Sequence, residues 1–226
     1  MTRPTFRAIA LLAAAAAGSG LAAQSLDRAI EGIERHYNSL GGLQMQFEQS
    51  MEYGGQRRMV ETGTLYLQRP GKMRWQYSQP AGKIAISDGT IFRMYNPNTN
   101  QVRQAELEAM TDLRAPLSFL LGRMRLRRMF RNLRIEEIDG RQVLSGEGRN
   151  AQDFYSRVEF DFDPDAYAIT GVRIVGRDES VNVYRFSAEQ VNPTLAASMF
   201  EFNAPSGAEV VPLSRSFRDV PLDLGE

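Results

Sequence analysis

Apolar and polar side chains alternate along most of this chain with a period of two residues, which is typical of half-buried β-strands. In the first such segment Leu43, Met45 and Phe47 alternate with polar neighbours. Comparable segments follow, and turn-forming sequences such as Gly54-Gly55 and Asn96-Pro97 separate them. Short strands with this punctuation favour an antiparallel β-sheet or barrel.

Helical spacing begins the mature part of the chain. Ser25 is a suitable N-cap, and apolar positions from Leu26 to Tyr37 recur every three or four residues, which predicts an amphipathic helix ending near Asn38.

A second helical region interrupts the strands. Helical patterns cover 107–110 and 115–122, and the apolar spacing within 126–133 continues them. Strand alternation returns at Ile135, and a last strand is predicted at 199–202. The predicted order is therefore a helix, a meander of strands, a helical insert and a second meander, in one domain.

The first 23 residues have the pattern of a secretory signal peptide. Arg3 and Arg7 precede the apolar run Ala8–Ala17, and small residues follow up to a predicted cleavage after Ala22 or Ala23. That run is about half of the roughly 20 residues that span a bilayer. Because no Cys follows the cleavage site, no lipid anchor is expected. We expect a signal peptide at 1–23, one domain at 24–211 and a polar tail at 212–226.

Composition excludes several kinds of chemistry. The 226 residues include no Cys and one His, which rules out disulfides, Cys-ligated zinc, iron–sulfur clusters, thiol nucleophiles and three-His zinc sites. The 27 Lys and Arg residues equal the 27 Asp and Glu residues, so no net charge attracts nucleic acid. We expect no metal, no cofactor and no nucleic-acid partner.

Two local motifs are weak candidates for a site. His36 has no nearby Ser or Asp that would complete a catalytic group, so an exposed helix histidine is expected. The acidic residues within 161–165 have the spacing of a calcium loop, but Ala166 and Val172 stand where that loop needs Gly and Glu. These acids are therefore expected on the outer face of a strand and in the turn after it.

A basic amphipathic stretch is a candidate docking surface. A solvated face over an apolar underside is the favoured interpretation, and docking to an acidic protein or an anionic membrane is the alternative. The arginines concerned are Arg123, Arg125, Arg127, Arg128, Arg131 and Arg134.

The strands of the first meander share one apolar face that the helical insert could cover. Helix and sheet could pack tightly, or they could leave a pocket for hydrocarbon lined by adaptable methionines, and the pattern leaves both interpretations open. The face consists of Met45, Phe47, Leu65, Leu67, Met73, Trp75 and Tyr77.

A series of short motifs resembles the LolA family of periplasmic outer-membrane lipoprotein carriers. Each motif alone is weak, but the series follows the family order over about residues 25–211. The motifs are Tyr37–Leu40, Phe47–Gln49, Gly63–Trp75, Ser87-Asp88-Gly89, Tyr95-Asn96-Pro97, Pro116–Gly122 and Phe200–Val210.

The resemblance implies a mainly β (α+β) fold, an unclosed antiparallel β-barrel or strongly curved sheet covered by a helical lid over an apolar cavity. It implies a monomeric periplasmic carrier without enzymatic activity or cofactor. Such a carrier accepts acylated lipoproteins from the inner-membrane LolCDE transporter and passes them to an outer-membrane receptor such as LolB. Carriage or sensing of another amphiphile, such as a glycolipid, is the alternative; a periplasmic hydrolase is a further one.

The resemblance also implies roles for individual residues. Arg69 matches the arginine that hydrogen-bonds backbone carbonyls of the lid and holds the unloaded lid shut. Met73 and Trp75 match positions in the cavity wall. The lid positions are Pro116, Leu117, Phe119, Leu120 and Leu121.

Overall fold

The computed structural model describes residues 14–107, 124–150 and 153–213, with side chains from residue 25 onward. Its helical elements are α1 (Ala14–Asn38), a short helix at Leu126–Met129 and a 3-10 helix at Ala197–Phe200. Within these ranges no helix has the length and apolar character needed to cross a membrane.

Twelve strands in the described part of the chain form a single sheet. In space their order is β12-β6-β5-β4-β3-β2-β1-β11-β10-β9-β8-β7. The strands are β1 (Gly42–Tyr53), β2 (Gln56–Gln68), β3 (Lys72–Gln79), β4 (Ile84–Asp88), β5 (Ile91–Asn96), β6 (Gln101–Glu106), β7 (Phe130–Ile138), β8 (Arg141–Gly148), β9 (Tyr155–Phe162), β10 (Ile169–Gly176), β11 (Val181–Val191) and β12 (Glu209–Pro212).

The sheet is antiparallel throughout except where β12 pairs parallel to β6, and its edge strands β7 and β12 do not pair with each other. Phe92 on β5 and Leu144 on β8 nevertheless belong to one hydrophobic cluster. Residues of α1 and of both halves of the sheet join this one cluster, as expected when a sheet curves around its helix. The predicted unclosed, curved antiparallel sheet is confirmed.

Helix α1 packs on the concave face of the sheet. Ile30, Ile33 and Tyr37 lie on one side of the helix and are buried in the central cluster. The predicted end of the helix at Asn38 is confirmed, but Ser25 is not its N-cap because the helix already begins at Ala14. The residues before Ser25 are mostly alanines, which have the highest helix propensity.

Two element predictions are wrong. The apolar spacing within 126–133 does not continue a helix: the short helix ends at Met129, and Phe130 begins β7. The strand predicted at 199–202 is instead the end of the 3-10 helix followed by an irregular segment, in which Phe200 is buried.

The segment after β11 crosses the convex face of the sheet. The 3-10 helix lies against β3 and β4, where the Arg74 guanidinium donates a hydrogen bond of 2.9 Å to the Met199 carbonyl. Pro212, where the polar tail was predicted to begin, is the last residue of β12. Leu213 is buried, and its N–H donates to the Gln104 carbonyl at 2.7 Å. Ordered structure therefore extends at least to Leu213.

Candidate ligand-binding interior

The structure brings the seven predicted apolar face residues together on the concave side. All seven belong to the central hydrophobic cluster. Cross-strand pairing places them in rows: Met45 lies opposite Leu65, which lies opposite Trp75. Met45 and Leu65 are completely buried, and Trp75 is 6% exposed. A hydrocarbon chain could therefore reach this row only after the elements that cover it move.

The next row is aromatic, and a glycine makes room for it. Phe47 lies opposite Gly63, which lies opposite Tyr77. The rings of Phe47 and Tyr77 meet above Gly63 with their centroids 5.1 Å apart. A Cβ at Gly63 would stand 2.1 Å from the carbonyl oxygen of Gln76 and 2.8 Å from the Phe47 ring, so this close packing requires glycine.

Tyr37 attaches α1 to the other half of the sheet. Its hydroxyl donates to Glu189 Oε2 at 3.0 Å and accepts the N–H of Ile169 at 2.7 Å. Burial, followed by the charge of Glu189, raises the pKa of this hydroxyl. His36 Nε2 lies 2.8 Å from the other oxygen of Glu189, so the expectation of an exposed histidine is wrong: its side chain is 19% exposed.

Arg69 contacts the same turn of α1 from β2. Arg69 directly follows the last residue of β2, and its N–H donates to the Gly41 carbonyl at 2.9 Å. Its guanidinium donates a short hydrogen bond to the carbonyl of Tyr37. Burial lowers the pKa of Arg69, and no carboxylate pairs with it among the described residues. A carbonyl in the last turn of a helix lacks an intrahelical partner and carries partial negative charge, so the Arg69 guanidinium is a favourable donor to the Tyr37 carbonyl.

The predicted lid residues Pro116, Leu117, Phe119, Leu120 and Leu121 lie outside the described residues, as does Arg123. The lid contacts that the resemblance implies for Arg69 therefore stay predictions.

The described arginines of the basic stretch lie just before the short helix, on that helix and on the edge strand β7. Arg127 pairs with Asp27 of α1, and Arg131 lies 3.4 Å from Glu147. Arg134 donates to Ser145 Oγ at 3.3 Å. Arg125, Arg127, Arg128, Arg131 and Arg134 line this surface, and the side chains of Arg127 and Arg131 are more than half exposed.

The acidic residues of the calcium-like motif lie in β9 and the turn after it. Asp163 accepts the N–H groups of Asp165 and Ala166, and these hydrogen bonds lower its pKa. Among the described residues there is no cluster of three or more metal-ligating side chains.

Four polar side chains lie where the concave face approaches the β1–β2 hairpin. Glu61 occurs in phase with Leu65 and Leu67 on β2 and is 6% exposed. Lys83 Nζ lies 2.5 Å from Glu61 Oε1 and 4.5 Å from the centre of the Tyr77 ring. Tyr184 on β11 contacts the edge of Trp75, with 6.0 Å between ring centroids. Glu61, Lys83 and Tyr184 were not among the predicted site residues, although a charged residue in phase with two leucines was a visible signal.

An open, curved antiparallel sheet whose apolar concave face lies under an N-terminal helix defines a half-barrel with an enclosed apolar interior. The family model described as "Outer membrane lipoprotein carrier protein LolA" matches residues 38–203. The chain therefore belongs to the LolA family.

Individual proteins agree with this assignment. An outer-membrane lipoprotein carrier protein of Bordetella avium (strain 197N) is 31% identical over 158 residues, which cover 70% of this chain and 74% of that protein. One from Bordetella pertussis (strain Tohama I) is 29% identical over 206 residues, covering 90% and 92%. A solved structure of an uncharacterized conserved protein from Thermus thermophilus has a TM-score of 0.50 at 12% identity, covers 85% of this chain and 99% of that one, and shows a similar fold.

Proposed function

We propose that this protein is exported to the periplasm, shelters the acyl chains of lipoproteins in its apolar interior and carries them between the membranes. The donor is the inner-membrane LolCDE transporter, and the acceptor is an outer-membrane receptor such as LolB. Family membership supports carriage, and the continuous apolar concave face under α1 is the observation that carries the proposal.

The physical need for a carrier follows from the cost of wetting hydrocarbon. At about 0.8 kcal/mol per methylene, a chain of roughly 15 methylenes costs on the order of 12 kcal/mol to expose to water. Because Met45, Leu65 and Trp75 are buried in the described structure, the protein must open before such a chain can replace the contacts that cover them.

Arg69 supplies a contact that belongs to the closed form. Its guanidinium holds the carbonyl of Tyr37, so movement of α1 away from β2 breaks this hydrogen bond. The segment with Pro116–Leu121 would provide further carbonyls. A contact made in one state alone shifts the equilibrium toward that state, so Arg69 favours closure and thereby expulsion of the ligand.

The test is Arg69→Leu in a purified transfer assay. The variant should accept an acylated lipoprotein but release it to its receptor poorly. A charge-assisted hydrogen bond that is partly solvated is worth about 1–2 kcal/mol, which corresponds to about 5- to 30-fold stronger retention. Arg57→Leu is the matched control, because Arg57 lies on β2, the strand that Arg69 follows, with its side chain 46% exposed, and pairs with Glu48.

Normal handover by Arg69→Leu would contradict the role assigned to Arg69. Mass spectrometry of lipids that copurify with the wild-type protein distinguishes lipoproteins from another amphiphile such as a glycolipid.

A further inference from the structure

No described strand lies along the outer edge of β7. This strand forms one end of the sheet and pairs with β8 alone. Along its other side the backbone N–H and C=O groups of 131–138 have no strand to bond within the described part of the chain. An edge of this kind is a template for pairing with another strand, so the question is which strand it fits.

The exposed charges of β7 are divided by sign along the strand. Arg131 and Arg134 lie in its first half, and Glu136 and Glu137 lie in its second half. An edge with charge of one sign repels a second copy of itself. An edge that is basic at one end and acidic at the other attracts a second copy in the antiparallel orientation, in which the same surface pairs with itself around a two-fold axis.

The pleat of the strand restricts the register of such a pair. Leu133 and Ile135 pack against the central cluster on the concave side, so Arg134 and Glu136 point to the convex side. Residues directly opposite each other in an antiparallel pair point to the same face, so a two-fold pair is centred on one residue. Centring it on Arg134 or on Glu136 puts like charges together. Centring it on Ile135 places Arg134 opposite Glu136 of the second copy, at both symmetric positions.

Both charges are available for this contact. The side chains of Arg134 and Glu136 are exposed, and neither has an ion-pair partner among the described residues. Arg134 uses only its Nε, which donates to Ser145 Oγ at 3.3 Å. The bulge between Arg131 and Arg134 confines regular pairing to the segment after it. An edge this short covers less than the roughly 1,200 Å² of a stable interface, so the association is weak.

An anionic membrane fits this edge less well than a second copy does. Arg127 and Arg131 already pair with Asp27 and Glu147. The carboxylates in the second half of β7 lie on the same edge, and a negative lipid surface would repel them.

We propose that two molecules associate through their β7 edges in an antiparallel pair centred on Ile135, with Arg134 of each copy opposite Glu136 of the other. The sheet then continues across the two-fold axis. The proposal goes beyond lipoprotein carriage and does not depend on it. It departs from the monomer that the family resemblance implies.

The test is sedimentation equilibrium of the purified protein over a series of concentrations. The wild type should show a monomer–dimer equilibrium with a dissociation constant in the micromolar to millimolar range, because the edge is short. Arg134→Glu and Glu136→Arg each put like charges opposite one another at both symmetric positions. Each should weaken the dimer by about 5- to 100-fold, with the thermal unfolding of the wild type.

The decisive sample is an equimolar mixture of these two variants. In a mixed pair one copy has acids at both positions and the other has arginines at both, so the two contacts are complementary again and the mixture should dimerise like the wild type. The double variant Arg134→Glu/Glu136→Arg should do the same. Arg58→Glu is the matched control, because it makes the same change of charge at an exposed position of β2, a strand with neighbours on both sides.

A wild type that stays monomeric at every concentration would overturn the proposal. A dimer that the single variants leave intact would also overturn it, as would a mixture that remains monomeric. Cosedimentation with phosphatidylglycerol vesicles tests the other occupant. Binding that Arg134→Glu abolishes, in a protein that does not self-associate, would assign the edge to a membrane and refute the dimer.

Discussion

The attachment of α1 to the sheet through Tyr37 can be tested by Tyr37→Phe. The substitution removes one hydroxyl and keeps the ring, which is completely buried. It deprives the N–H of Ile169 of its acceptor and Glu189 of one donor, while His36 still bonds Glu189.

The expected loss can be worked out from these contacts. A buried N–H without a partner costs about 1–3 kcal/mol, and the hydrogen bond to Glu189 adds about 1 kcal/mol, which gives about 2–4 kcal/mol. For a domain of this size 1 kcal/mol lowers Tm by about 2–4 °C, so a decrease of about 5–15 °C is expected. Urea unfolding and scanning calorimetry measure both quantities.

The matched control is Tyr53→Phe, because Tyr53 is 56% exposed and the variant should unfold like the wild type. Equal stability of Tyr37→Phe and this control would refute the reasoning. The bond from Arg69 uses the backbone carbonyl of Tyr37 and survives the substitution. Tyr37→Phe should therefore not show the release defect expected of Arg69→Leu.

Two further predictions concern the interior. Unfolded tyrosines ionise near pH 10, whereas Tyr77 and Tyr184 keep their protons in the folded protein, so the free energy of unfolding should fall above about pH 10 by about 1.4 kcal/mol per pH unit for each of these two tyrosines. Urea midpoints measured between about pH 9 and pH 11 should fall less steeply in the variant with phenylalanine at both positions. Equal slopes in the wild type and this variant would contradict the prediction. Gly63→Ala places a methyl group against the Gln76 carbonyl and should lower the free energy of unfolding, measured in urea, by about 1–3 kcal/mol. Gly41→Ala is the control and should be tolerated, because the nearest atom to a Cβ at Gly41 is 3.6 Å away. Equal losses in the two variants would contradict the packing argument.

The architecture of the sheet could be predicted because its signal is local. Alternating burial along β2 and β3 follows the sequence residue by residue, and the Gly54-Gly55 turn has the positive φ angles that a two-residue hairpin needs. The pairing of β1 with β11 joins distant parts of the chain, and nothing in the local pattern indicates it.

The helix wrongly predicted within 126–133 has a specific cause. β7 contains a bulge between Arg131 and Arg134, and Asn132 within it has a φ of 50°. The extra residue lets both Phe130 and Leu133 lie over Gly146. A spacing of three, which normally indicates a helix, here comes from a bulged strand.

The candidate site was predicted only in part, because only part of its signal is local. The apolar residues of the first meander follow the strand period, so their shared face was visible. The contact of His36 with Glu189 joins residues 153 positions apart, and the contact of Tyr184 with Trp75 likewise depends on the pairing of β11 with β1. Such contacts arise from the tertiary fold and leave no mark on the local pattern.

The pairing of β1 with β11 has a consequence for the order in which the chain can fold. The N-terminal strands are synthesised first, and one edge of β1 stays unpaired until β11 is also available. Unpaired strand edges and long-range pairing favour slow folding and aggregation. A newly made molecule should therefore be most prone to aggregate before β11 has paired with β1 and completed the sheet.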